Sequence, residues 1–188
     1  MGKNLLKNAI CYLSGPIDDC KDHGIGYRKE IRDKIEKAKL NILFLDPTDK
    51  FTGFSQEVGE DKENIYKLKK QHKWEELRFF MKKIVHLDLR SVDIVDFLIL
   101  YIDPDLHMCG SYHETIISLQ QKKPILVIVK GGKEKAPDWL FGIIHYSFIF
   151  DDVDECVDYL CKLNSGEIPL NDRWVLMRKQ LQTQLEKL

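Results

Sequence analysis

Carboxylates are the side chains in this sequence best placed to do chemistry. Glu114 closes the run Gly110-Ser111-Tyr112-His113-Glu114, which opens a segment whose apolar residues Tyr112, Ile116 and Leu119 recur at helical spacing. A carboxylate in the first turn of a helix is held ionised by the positive end of the helix dipole and by free backbone N–H groups. Such a carboxylate can attack an electrophilic centre such as the anomeric carbon of a sugar. Gly110, four residues earlier, lets a ligand approach the backbone with no Cβ in the way. A glutamate at a helix start also serves ordinary capping, so position alone leaves both roles open. Asp88 and Asp96 flank the start of an apolar run, where a buried or paired acid would have a raised pKa suited to protonating a leaving group. Each is equally a common turn or cap residue. His107, Cys109 and His113 match no metal-ligand spacing, and helix geometry would not converge all three, so no metal or other cofactor is expected.

These groups need elements to bring them together. Ala9 to Leu13 is a short apolar run that ends at Ser14-Gly15-Pro16, which predicts a buried strand and a turn. Tyr27, Ile31, Ile35 and Ala38 predict a helix, and residues 41 to 45, closed by Asp46-Pro47, a second strand. A polar loop over residues 48 to 63 precedes one long helix, with Leu77, Phe80, Met81, Ile84 and Leu87 on one face and its end at Asp88. Its lysines Lys67, Lys69, Lys70 and Lys73 read as a solvated face. The nearly unbroken apolar run from Ile94 to Ile102 predicts a strand covered on both sides, near the middle of a parallel sheet. Strands are further predicted over residues 124–129 and 146–150, and a helix over 153–163.

Strands that alternate with helices imply parallel pairing and right-handed crossovers, hence an α/β, doubly wound, mainly parallel five-stranded sheet of flavodoxin-like order over residues 1–165. Residues 166–188 add a C-terminal amphipathic helix, with Asn171 as N-cap and Trp174, Met177, Leu181, Leu185 and Leu188 on one stripe, docked on its own domain or on a neighbouring subunit. Ligands of such sheets bind outside the carboxyl ends of the strands. Three segments qualify: Tyr12-Leu13-Ser14-Gly15-Pro16-Ile17-Asp18, the stretch from Asp103-Pro104-Asp105 to Glu114, and the helix end at Asp88.

With 188 residues, 44% hydrophobic, the chain suffices for one core. Acidic and basic residues nearly cancel, at 30 against 29, which argues against nucleic acid and for a small solute as partner. Five cysteines without a CxxC pair fit a reducing cytosol, and no apolar run is long enough for a membrane span. A soluble, cytoplasmic protein is expected. Gly131-Gly132-Lys133 lacks a phosphate-loop frame and reads as a surface turn, and Gly24-Ile25-Gly26 as a helix-entry loop.

Taken together, the strand ending Tyr12-Leu13-Ser14-Gly15-Pro16, the pair Asp88-Leu89 followed by Val95-Asp96, the stretch Gly110 to Glu114 and the strand entry Lys123-Pro124-Ile125 resemble the nucleoside 2-deoxyribosyltransferase family. That family includes 2′-deoxynucleoside 5′-phosphate N-hydrolases. The likeness covers residues 8 to 130 and rests on four short motifs in order. It implies transfer of 2-deoxyribose between nucleobases through a deoxyribosyl-glutamate ester. Glu114 would be the nucleophile, Asp88 a catalytic or orienting acid, Asp105 a second acid, and Tyr12 a pocket residue. Ser14, Gly15, Pro16, Asp18, Asp96, Gly110 and Ser111 would complete the substrate site. It further implies a homo-oligomer whose subunits help close one another's sites. Where the hydrolase branch carries a basic residue for a 5′-phosphate, this chain has Asp18-Asp19, and two acids favour a nucleoside over a nucleotide. Hydrolysis of the same bond, and binding of nucleosides without turnover, are the competing expectations.

Overall fold

Alternation along the first strand decides what faces what. In β1 (Ala9–Ser14), Ala9, Cys11 and Leu13 sink into one core, whereas Tyr12 sinks into a second core on the opposite face of the sheet. The structure, a computed structural model, describes residues 3–50, 54–55 and 57–176. After β1 come α1 (Ile25–Lys37), β2 (Ile42–Leu45), α2 (Gly59–Lys70), α3 (Trp74–Ile94), β3 (Phe97–Ile102), α4 (Cys109–Gln120), β4 (Ile125–Val129), α5 (Asp138–Ile143), β5 (Ile149–Phe150) and α6 (Val153–Ser165). The strands form one five-stranded sheet in the order β2-β1-β3-β4-β5, every pairing parallel, with β3 at the centre. This is the expected doubly wound, flavodoxin-like α/β architecture. The order reverses between β1 and β3, and that switch point opens a crevice at the strands' carboxyl ends.

Ile31 and Ile35 of α1 and Cys156, Leu160 and Leu163 of α6 cover one face. Val92 of α3, Met108 at the start of α4 and Leu140 of α5 cover the other. No helix among the described residues is long and apolar enough to cross a membrane.

Four expectations change. The single long helix is two: α2 begins inside the segment expected to be loop, and the chain breaks at His72, whose φ of 56° is incompatible with continuing a helix. Lys67, Lys69 and Lys70 therefore belong to α2. Helix α3 continues past Asp88 to Ile94, so the apolar run is divided, its first residues ending a helix and Phe97 starting the strand. Residues 138–143, not expected to be regular, form α5, on which Trp139 stands 77% exposed. Beyond α6, residues 166–176 are not helical. Trp174 and Leu176 enter the core of the α1/α6 face, with the Trp174 ring 5.2 Å from that of Phe97. Met177, Leu181, Leu185 and Leu188 lie outside the described residues.

Candidate active site

Because side chains alternate along β1, Tyr12 and Ser14 point to the same face, the one covered by α3 and α4, and both are buried. Helix α4 turns Ser111, Thr115 and Ser118 inward, a stripe of small side chains that lets it lie close to the strands. Glu114 is beside that stripe. Tyr12 Oη donates to Glu114 Oε1 at 2.9 Å, and Ser14 Oγ donates to Oε2 at 2.5 Å. Each carboxylate oxygen thus has a hydroxyl donor held by the end of β1.

Glu114 does not sit in the first turn of its helix, as the sequence suggested; α4 begins at Cys109 and has no acid in that turn. The dipole effect falls off within one turn, so the environment of the carboxyl group decides its charge instead. Burial pushes its pKa up to about 7; the Ser14 bond opposes this, the Asp88 charge adds to it, and the Tyr12 bond and Arg28 hold it down. A desolvated carboxylate poised near neutrality is a stronger nucleophile, once ionised, than one solvated by water. Burial and the Glu114 charge raise the Tyr12 phenol, which keeps it a proton donor.

Asp88 lies on the buried stripe of α3 with Ile84 and Val92. Lys50, from the segment after β2, meets its Oδ1 at 2.7 Å, with both side chains almost wholly buried. Burial raises the Asp88 pKa, and Lys50 works against that. Asp88 and Pro47 border two adjoining cavities. One, of about 170 Å³, is lined by Gly15, Pro16, Glu57, Gly110, Ser111 and Glu114. The other, of about 540 Å³, is lined by Tyr12, Phe44, Leu45, Leu87 and Ile94. A separate cavity beside Trp174 lies at the opposite end of the strands, where Pro124 precedes β4, with no carboxylate among the described residues that line it.

The turn after β1 is shaped by Arg28, which is fully buried. Its Nε donates to Leu13 O at 3.3 Å, Nη2 to Gly15 O at 3.0 Å, and Nη1 to Gly24 O at 2.9 Å. Asp46, at the end of β2, balances the charge at 3.5 Å. Gly15 has no room for a side chain, since a Cβ there would come within 2.4 Å of Tyr27 Oη and 2.9 Å of Tyr101 O.

The structure brings together Glu114, Asp88, Tyr12, Ser14, Gly15, Pro16, Asp18, Gly110 and Ser111. It does not bring Asp96 or Asp105 to them. Asp96 precedes β3 at the amino end of the sheet, where its Oδ2 accepts from Ile10 N at 2.8 Å, a strand's length, about 15–20 Å, from the crevice. It fixes the pairing of β1 with β3. Asp105 is exposed and lines a different hollow with Tyr27, Tyr101 and Lys130, on the far side of the β1–α1 turn. Asp18 pairs with the buried Lys62 of α2, so the charge at that position is balanced rather than doubled by Asp19. Lys50, Glu57, Arg28 and Lys62 were missed by the sequence reading. Three of them had a signal: Arg28 and Lys62 each occupy the buried stripe of an amphipathic helix, and Lys50 lies three residues beyond the Asp46-Pro47 turn that closes β2. Among the described residues no group of three His, Cys, Asp or Glu side chains is placed to hold a metal ion.

No family model matches this chain, and no curated protein matches it. Among solved structures, a conserved protein from Enterococcus faecalis V583 is similar at 15% sequence identity over 96% of this chain and 98% of that one, with a TM-score of 0.45. A likeness of that degree carries no argument about this site.

Proposed function

We propose that this chain is a cytoplasmic enzyme of the nucleoside 2-deoxyribosyltransferase type, acting on the N-glycosidic bond of a 2′-deoxynucleoside. One observation supports it above the others: a buried carboxylate, Glu114, held on both oxygens by Tyr12 and Ser14 at the mouth of a cavity that a second acid, Asp88, also borders. Glu114 attacks C1′ of the deoxyribose, and the C1′–N bond breaks with its electron pair going to the base. The sugar passes through an oxocarbenium-like transition state to a glutamyl ester, as in retaining glycosidases. A second base attacks C1′, and Glu114 is released as the carboxylate. Ser14 and Tyr12 orient the nucleophile, and Asp88 with Lys50 forms the polar wall between the two cavities. The free thiols suit a reducing compartment.

The test is incubation with a panel of 2′-deoxynucleosides and a different free base, with exchange followed by chromatography. Base exchange with ping-pong kinetics is expected, and Glu114→Ala should abolish it; activity retained within about tenfold would remove Glu114 from this role. Free base released at the same rate without an acceptor base would make the protein a hydrolase. Parallel assays with 5′-monophosphates are informative, because the Lys62–Asp18 pair leaves Asp19 alone to repel a phosphate. Saturable binding without turnover of any substrate would leave a non-catalytic nucleoside-binding protein.

A further inference from the structure

A displaced base departs poorly as an anion, so the proposed reaction needs a group that gives the leaving base a proton and later takes one from the incoming base. Asp88 is the acid that the sequence places closest to this task, but its carboxylate is engaged by the Lys50 ammonium at 2.7 Å in a nearly dry setting. Burial raises the Asp88 pKa, but an aspartate so paired turns its carboxylate to the ammonium and not to a leaving base. Glu57, between β2 and α2, lines the same cavity as Glu114 and Asp88 and is half-buried. Among the described residues no group hydrogen-bonds or ion-pairs with the Glu57 carboxyl.

On the strength of the function proposed above, we propose that Glu57, rather than Asp88, is the general acid and base of the reaction. In the first half, the Glu57 carboxyl proton passes to a ring nitrogen of the departing base as the C1′–N bond breaks and Glu114 forms its ester. In the second half, the N–H proton of the incoming base passes to the Glu57 carboxylate as the new C1′–N bond forms and the ester bond breaks toward Glu114. The charged groups acting on Glu57 come from four elements: Asp88 on α3, Lys50 after β2, Arg28 on α1 and Lys69 on α2. Burial raises its pKa and Asp88 adds to this, while the three cations oppose it. The result is two carboxyl groups with separate duties in one cleft, Glu57 carrying the proton and Asp88 held against the Lys50 ammonium.

Two substrates separate proton donation from every other role: 2′-deoxyinosine, whose base needs a proton to leave, and 7-methyl-2′-deoxyguanosine, whose cationic base departs neutral without one. For Glu57→Gln, kcat/KM on deoxyinosine should fall by about 10²–10³-fold while that on the methylated nucleoside stays within about threefold of wild type. The second activity also reports that the variant is folded. Glu114→Ala should lose both activities, and Asp88→Asn should lose both in similar proportion. Equal losses on the two substrates for Glu57→Gln, no loss on either, or the selective pattern in Asp88→Asn instead would each overturn the assignment. Wild-type protein that turns over neither nucleoside would overturn the proposed function itself, a result distinct from any of these.

Discussion

The Glu114 carboxyl group, with its pKa pushed up by burial to about 7, gives this molecule a response to pH near neutrality. As the nucleophile must be ionised, kcat/KM on 7-methyl-2′-deoxyguanosine, which needs no proton to leave, should rise about tenfold per pH unit below 7 and level off above it, whereas on deoxyinosine it should also fall once Glu57 loses its proton; a profile on the methylated nucleoside flat from pH 5 to 8 would contradict the role of Glu114. The same group has a thermodynamic signature. Its folded-state pKa lies above the ordinary 4.5, so between those two values the folded chain binds more protons than the unfolded one and stability declines as pH rises. That decline should amount to about 2 kcal/mol once partial solvent access is allowed for. Glu114→Gln should remove it, which denaturant melts of both proteins at pH 5 and pH 8 will measure. The sequence points to Glu114 as a cleft residue only through its neighbours; what it does not show is that β1, far away in the chain, supplies both hydroxyl donors. Tyr12 and Ser14 are over a hundred and exactly one hundred positions from it respectively, and only the sheet order unites them.

At the level of elements, three helices hide a charge on their inward stripes: Arg28 with Ile31 and Ile35, Lys62 with Ile65 and Leu68, and Asp88 with Ile84 and Val92. Each finds an opposite charge: Asp46, Asp18 and Lys50. Removing one member of a buried pair leaves the other uncompensated, so Arg28→Met should cost about 3–5 kcal/mol in a denaturation experiment. It should also lower activity, since the turn that holds Ser14 and Gly15 loses its clamp. A loss below about 1 kcal/mol would show that the turn holds itself. These stripes explain where reading the sequence succeeded and where it stopped. Apolar periodicity and strand alternation revealed the α/β class, the five strands and the central position of β3. A charge on an apolar stripe was legible as an oddity, but its partner was not, because each partner arrives from another element. The break at His72 was missed because the polar run from Lys69 to Lys73 reads as the solvated face of a continuing helix, with no glycine or proline to mark an end.

For the molecule as a whole, the outer surface suggests company. Helix α3 leaves Phe79 63% and Ile94 65% exposed, and Ile94 edges the larger cavity beside Asp88. Apolar side chains in that position are what a neighbouring subunit would cover. Sedimentation at micromolar concentration should show a dimer or larger assembly, and Ile94→Glu should shift it toward monomer and weaken turnover; a wild-type monomer would dismiss the idea. On the opposite face, Trp174 closes the layer over Phe97 of the central strand. During synthesis on the ribosome, all five strands therefore emerge well before the residue that seals them. A nascent chain paused after α6 would hold a complete sheet with a hole above its middle, exposed to chaperones until the tail arrives to plug it.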